Sequence, residues 1–371
     1  MIIYLAVPAV VFLGQCILYL GRIKINQSST KLLFLTFTFL IPVLIYGFRD
    51  TSIGWDTVSY AGEYSVVGDV SLGDILSGRY TGSVVLDTEI GFLLLNWLLA
   101  HLGLPLWAFY LIVGTITNLL YARAIYYSSP IVFISSISYL FLYNFLYGLS
   151  IMQQGIAAGI LLNSFIYLSR KEYKKYFLWI ILATTFHVFS FVFIFLLIPT
   201  ILIKKRTQLV ATLIVAVSGI LFSMGIVRII VFRYFPHFTY FFRVNYQADQ
   251  TFGIGSTMYI LIDVVCICLL VGQFQYKEES KHQIIYLTLT MAIGGAALIM
   301  MPVFGIYQRI SKFFHTFIII GSASAVDGIK KPRRKILIGG GYALLTFMYY
   351  LYYVIRDKYD IVPYVFYKGG G

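Results

Sequence analysis

The chain has 371 residues, of which 60% are hydrophobic and only 12% charged, against about 25% charged in an ordinary soluble domain. With a mean hydropathy of +0.85, this composition excludes a soluble enzyme or binding module. The formal net charge of +13 does not point to nucleic acid, because much of it lies in short clusters between apolar runs, where lysine and arginine fix membrane orientation.

Continuous apolar runs of about 20 residues, each long enough to cross a bilayer core of about 30 Å, recur from end to end. They do not alternate, so helices and not a barrel are predicted. The predicted fold is all-α: one transmembrane domain over 1–371, with external loops at 49–104 and 228–256. It has about 10 spanning helices, a re-entrant hairpin near 176–203 and an interfacial helix near 89–103.

The opening "MIIYLAVPAVVFLGQCILYLG" lacks a basic n-region and a small-residue cleavage site, so it reads as a retained span. The clusters "GRIK" (Gly21 to Lys24), "RKEYKK" (Arg170 to Lys175), "KKR" (Lys204 to Arg206) and "KKPRRK" (Lys330 to Lys335) should face the cytoplasm. The N-terminus is then outside, and residues 30–48 return the chain outward to Arg49. Four apolar stretches follow before "RKEYKK", near 89–103, 105–122, 129–147 and 149–169, yet an odd number of crossings is needed to end inside. The first is shortest, carries Glu89, Asn96 and His101, and stops at "GLP"; it becomes the interfacial helix. Arg123 then falls inside, and "LSIMQQ" opens a span at the outer face.

Between two cytoplasmic clusters, residues 176–203 are too few for two full crossings. A hairpin that dips into the membrane fits, with its tip near "TTFHVFS". Thr184, Thr185, His187 and Ser190 at such a tip must be buried in protein or line a water-filled cavity. Spans near 207–227, 257–276, 283–304, 306–326 and 336–355 complete the chain and leave its C-terminal segment external.

The two external loops differ in charge. Residues 49–89 hold Asp50, Asp56, Glu63, Asp69, Asp74, Asp87 and Glu89, whereas residues 228–255 set Arg228, Arg233 and Arg243 among aromatics against Asp249 alone. Such a pair suits a site that binds an anion and needs a carboxylate, although simple attraction between loops would also produce it. Arg49 has two readings. It is either an interfacial snorkel or, with Asp56, Gly54, Trp55 and Tyr60 close by, one side of a cavity mouth where a sugar ring stacks on Trp55 and Tyr60. His187 is likewise a core residue bonded to a carbonyl, or a functional group at the hairpin tip. Arg309, Lys312 and His315 recur every third residue and share one broad helix face, which snorkelling explains poorly. Cys16, Cys266 and Cys268 lie in apolar runs, so neither a disulfide framework nor a metal site is predicted. HExxH, DxD-type, G-x-S-x-G and Walker patterns are all missing. Chemistry outside the membrane, far from ATP, would draw on an already activated donor.

These segments resemble the EpsG-like, Wzy-type polysaccharide polymerases. The resemblance rests on "FRDTSIGWDTVSY" (R-x-x-x-x-G-x-D-x-x-x-Y), "TEIGFLLLNWLL" (E-x-G-F), "FHVFSFVF" (F-H-x-x-[SA]), "YQRISKFF" and "IVPYVF", in family order from about residue 45 to 366. One departure is that "IMQQGIAAGI" has Gln153 where the family commonly has arginine; Arg233, Arg243 and Lys312 are the available substitutes. The resemblance implies a bacterial inner-membrane enzyme with its active site at the periplasmic face. It would transfer a growing glycan from undecaprenyl diphosphate to a hydroxyl of the next lipid-linked repeat unit, without metal or cofactor. Asp56, His187 and Arg309 would be catalytic. Arg49, Trp55, Tyr60, Gln153, Gln154, Arg233, Arg243, Lys312 and Tyr364 would bind the lipid-linked donor and acceptor, and a chain-length regulator would be a further partner. A flippase or other transporter is the first rival, but internal repeats and polar residues along a whole transmembrane path are not seen. An O-antigen ligase or other membrane transferase is the second.

Overall fold

The computed structural model describes residues 2–20, 28–77, 88–196, 233, 254–271 and 312–368. Predicted spans near 207–227 and 283–304, and nearly all of the loop 228–256, lie outside the described residues. The helices are α1 (Ile2–Leu20), α2 (Ser28–Gly47), α3 (Thr57–Val67), α4 (Leu72–Ser77), α5 (Ile90–His101), α6 (Leu106–Ser128), α7 (Val132–Phe141), α8 (Tyr143–Ser150), α9 (Met152–Ser169) and α10 (Tyr173–Phe186). A 3-10 segment (Val188–Leu196) follows, then α11 (Ile254–Val271), α12 (Ile318–Asp327) and α13 (Pro332–Ile355). Among the described residues the extended pairing is one isolated antiparallel bridge, Arg49 with Phe366.

Among the described residues, four helical stretches are long and apolar enough to cross a membrane: α2, α6, the α7–α8 pair over Val132–Ser150, and α13. On α2 and α13 apolar side chains such as Leu32, Phe37, Ile336, Leu337 and Leu344 are exposed, as a hydrocarbon-facing perimeter requires. By contrast α9 is buried at every position from Met152 to Ile166. A helix that is apolar around its whole circumference belongs in the centre of a bundle. Here α6 and α10 pack against α9, and Arg123 of α6 binds the Asn163 side chain of α9.

Three breaks shape the interior. Extended backbone at Leu142 (φ −78°, ψ −168°) divides α7 from α8, and Ile151 (φ −122°, ψ 81°) divides α8 from α9. At His187 (φ −160°, ψ 118°) α10 stops, and the chain folds back along it, so that the Tyr176 hydroxyl donates to the Phe193 carbonyl at 2.6 Å. At 1.5 Å per residue the 14-residue α10 is about 21 Å long, short of a bilayer core. The reversal expected from the residue count is therefore present, and its tip holds His187. Likewise α5, with 12 residues, spans only about 18 Å.

Candidate functional site

The polar groups of the loop that follows α2 are placed by a turn through Gly54. Its φ is +100°, and an added Cβ would stand 2.9 Å from Ser150 Cα, so glycine alone meets both the left-handed backbone and the close approach. The Gly54 amide donates to the Asp360 carbonyl at 2.7 Å, and the Ser150 hydroxyl donates to the Tyr359 carbonyl at 2.7 Å. Loop, α8 and C-terminal segment thus meet at one place. Trp55, 48% exposed, lies edge-on to Tyr359. Asp56 is half-buried at the start of α3.

One turn along α3, Tyr60 is buried against Phe92. Burial first, and then the carboxylates of Asp56, Glu63 and Glu89, hold its hydroxyl well above the usual phenol range, while the backbone of Gln153 bonds to it. Tyr60 therefore stays a neutral phenol. Through Gln153 the Tyr60 hydroxyl reaches the N-terminus of α9, where Gln153 and Gln154 are buried. Gln154 accepts a hydrogen bond from the Tyr147 hydroxyl at 2.6 Å. Over the Tyr147 ring, 3.6 Å from its centroid, stands the Lys312 ammonium, with Tyr359 on another side at 5.3 Å.

His187 lies beside this cluster, only 4% exposed, with its ring against Phe189 and Phe313. Its Nδ1 is 3.9 Å from Glu89 Oε1, and the same oxygen accepts the Val188 amide at 3.2 Å. Glu89 precedes α5 directly. Two residues on, Gly91 rests on the backbone of Thr185: a Cβ there would be 2.8 Å from the Thr185 carbonyl oxygen. Glu63 in turn accepts from the Thr88 hydroxyl. The E-x-G-F segment is thus the brace of the hairpin tip.

Asp56, Trp55, Tyr60, Gln153, Gln154, His187 and Lys312 are brought together. Two residues expected in the site are placed otherwise. Arg49 is not at a cavity mouth: its exposure is 0%, because the bridge to Phe366 turns the side chain inward. There Nη1 donates to the Leu149 carbonyl, and the guanidinium lies over Tyr110 and Tyr46 at 4.9 and 5.3 Å. Burial lowers its pKa, opposed by neighbouring tyrosines. Snorkelling to the interface is equally ruled out. Tyr364 spends its hydroxyl on the Ile45 carbonyl at 2.9 Å, so it ties the C-terminal segment to α2. Arg233 is exposed, while Arg309 and Arg243 lie outside the described residues.

On the expected basic face of residues 309–315, Lys312 and His315 meet different neighbours. Lys312 joins the site, whereas His315 Nε2 lies 2.6 Å from a carboxylate oxygen of Asp263 on α11, both side chains 1% exposed. Sequence reasoning missed Tyr147 and Tyr359 as site walls, since a tyrosine among 31 tyrosines carries no signal. It missed Asp263 too, although a single acid inside the run "YILIDVVCICLL" is the kind of intramembrane charge that marks a partner. Among the described residues no group of three or more His, Cys, Asp or Glu could hold a metal ion.

At the far end of α9 stand Arg170 and the basic cluster that follows it, about 27 Å away along the helix. The fold and the site define a polytopic all-α membrane protein with carboxylates, a histidine and a lysine gathered at one end of a central buried helix. No curated protein and no solved structure matches the chain. The EpsG family model, however, matches residues 32–366, nearly the whole chain. The protein belongs to the EpsG family, a family of Wzy-like polysaccharide polymerases.

Proposed function

We propose that this polymerase acts at the periplasmic face of a bacterial inner membrane, moving a growing glycan from undecaprenyl diphosphate to a hydroxyl of the next lipid-linked repeat unit. The observation that carries the reading is the meeting of Asp56, Glu63 and Glu89 around Tyr60 with Lys312 over Tyr147 at the start of α9. Transfer needs a base for the acceptor hydroxyl and a cation for the departing diphosphate, and the two kinds of group stand on neighbouring elements. The basic clusters at the opposite end of α9 favour the cytoplasm there, which turns the site outward.

Asp56 is the base in this reading, because it is half-buried on the loop, one turn before Tyr60. Lys312 supplies the charge that Gln153 lacks where family members have arginine: Tyr147 links it to Gln154, the next residue of α9. Arg309, three residues before Lys312, together with Arg233 and Arg243, completes the cation set for the diphosphate. Arginine forks suit phosphate oxygens. Trp55, exposed beside Tyr359, offers a flat face to a sugar. Stabilising the leaving charge is the larger part of such catalysis.

The test is reconstitution of the purified protein with a defined undecaprenyl-diphosphate repeat unit. A ladder of products differing by one repeat supports polymerisation. Transfer of a single unit to a different acceptor supports a ligase, and movement of intact lipid-linked units across the bilayer without product supports a flippase.

A further inference from the structure

We propose that His187 donates a hydrogen bond to the departing diphosphate and is not the base, and that Glu89 is the residue that positions it; this rests on the polymerase reading above. The argument begins with the backbone. The His187 amide makes the last bond of α10, to the Ala183 carbonyl at 2.9 Å, and its own carbonyl accepts from Ser190 at 3.0 Å. This tight reversal aims the Phe189 amide at His187 Nδ1, 3.4 Å away. A ring nitrogen that accepts an amide proton carries none itself, so the neutral ring holds its proton on Nε2. The charged ring also has a proton on Nε2. Nε2 is therefore a donor in either state, and the one basic nitrogen is occupied by the hairpin's own backbone.

Glu89 maintains this arrangement from outside the hairpin. Its Oε1 accepts the Val188 amide at 3.2 Å, satisfying the first amide beyond the helix break, which would otherwise be unpaired. The same oxygen sits 3.9 Å from Nδ1, against the edge of the ring opposite the donor. Phe189 and Phe313, with ring centroids 5.3 and 5.2 Å from the imidazole, set its plane. Phe313 adjoins Lys312 in sequence, so one helical turn carries both a wall of the imidazole and the ammonium over Tyr147.

In the transfer the acceptor hydroxyl oxygen forms a bond to the anomeric carbon. The bond from that carbon to the diphosphate oxygen breaks, and its electron pair leaves with the oxygen. The hydroxyl proton goes to the Asp56 carboxylate. His187 keeps its own proton and lends a hydrogen bond from Nε2 to the oxygen that gains charge.

The experiment measures initial rates of polymer formation by the full-length protein in lipid nanodiscs, with the defined diphosphate-linked repeat unit varied in concentration. Each variant is matched in amount and checked for an unchanged melting temperature. His187→Ala should lower kcat by about 100- to 1000-fold, the loss of one preorganised donor. His187→Gln, whose amide donates from a similar position but cannot serve as a base, should recover at least about tenfold of that loss. Glu89→Ala should lower kcat with little change in KM, and Glu89→Gln, which still accepts the Val188 amide, should recover at least about tenfold. In the His187→Ala background Glu89→Ala should add almost nothing, since it acts through the ring. The proposal is overturned if His187→Gln is as inactive as His187→Ala, or if the two alanine effects multiply in full. A wild-type protein that transfers no glycan at all overturns the polymerase reading, and the proposal with it, and is told apart by that blank control.

Discussion

Replacing Gly91 by alanine perturbs the site without removing any polar group from it. The new Cβ would meet the Thr185 carbonyl oxygen at 2.8 Å and its carbonyl carbon at 2.9 Å. Ordinary contact begins at 3.4 Å, so α5 and the end of α10 must separate by about 0.6 Å, because backbone cannot rotate aside as a flexible side chain can. Glu89, two residues earlier, moves with α5. Its 3.2 Å bond to the Val188 amide then stretches to about 3.8 Å and is lost as a hydrogen bond. Overpacking of this kind costs about 1–3 kcal/mol of stability. A misplacement approaching 1 Å costs about 100-fold in rate, so we expect about 30- to 100-fold less polymer per unit time. The assay is ladder formation in cells lacking their own polymerase, with membrane levels matched, alongside initial rates of the purified protein. Gly91→Ala with wild-type ladders and rates would refute the claim that the E-x-G-F segment braces His187.

Arg49→Ala should behave as a folding variant, with a lower melting temperature in detergent from an unpaired Leu149 carbonyl and a cavity between Tyr46 and Tyr110, about 2–4 kcal/mol in all. Lost polymer at an unchanged melting temperature would instead return Arg49 to the site. Asp263→Leu and His315→Leu, each leaving one half of a fully buried polar pair, should each cost about 1–3 kcal/mol, and the double replacement should cost less than their sum; equal and additive losses on thermal unfolding would count against a coupled pair. Lys312→Met should raise the KM for the lipid-linked donor at least about tenfold with the fold intact, and Lys312→Arg should restore part of it, since arginine also binds phosphate. Unchanged donor KM in Lys312→Met would remove Lys312 from the diphosphate.

Much of the architecture was legible in the chain because membrane helices are dictated by composition. Run length against bilayer thickness marks α2, α6 and α13 as long enough to cross, and the shortness of 176–203 between two basic clusters was enough to require a reversal there, with His187 at its tip. The turn at Gly54 was also legible, as a glycine between Arg49 and Asp56 permits a tight turn. Side-chain partners were not. Nothing in the local sequence distinguishes Arg49 from a snorkelling arginine; what buries it is the pairing of its backbone with Phe366, more than 300 residues away. Nor does the spacing of Lys312 and His315 reveal that one lies over Tyr147 and the other against Asp263, because a shared helix face meets different neighbours at successive turns. Sequence by itself determined that the chain is a bundle of apolar helices with polar groups at one end. Only tertiary structure decided which of those groups meet, because contacts between residues distant in the chain depend on packing and on backbone pairing, and neither leaves a periodic trace.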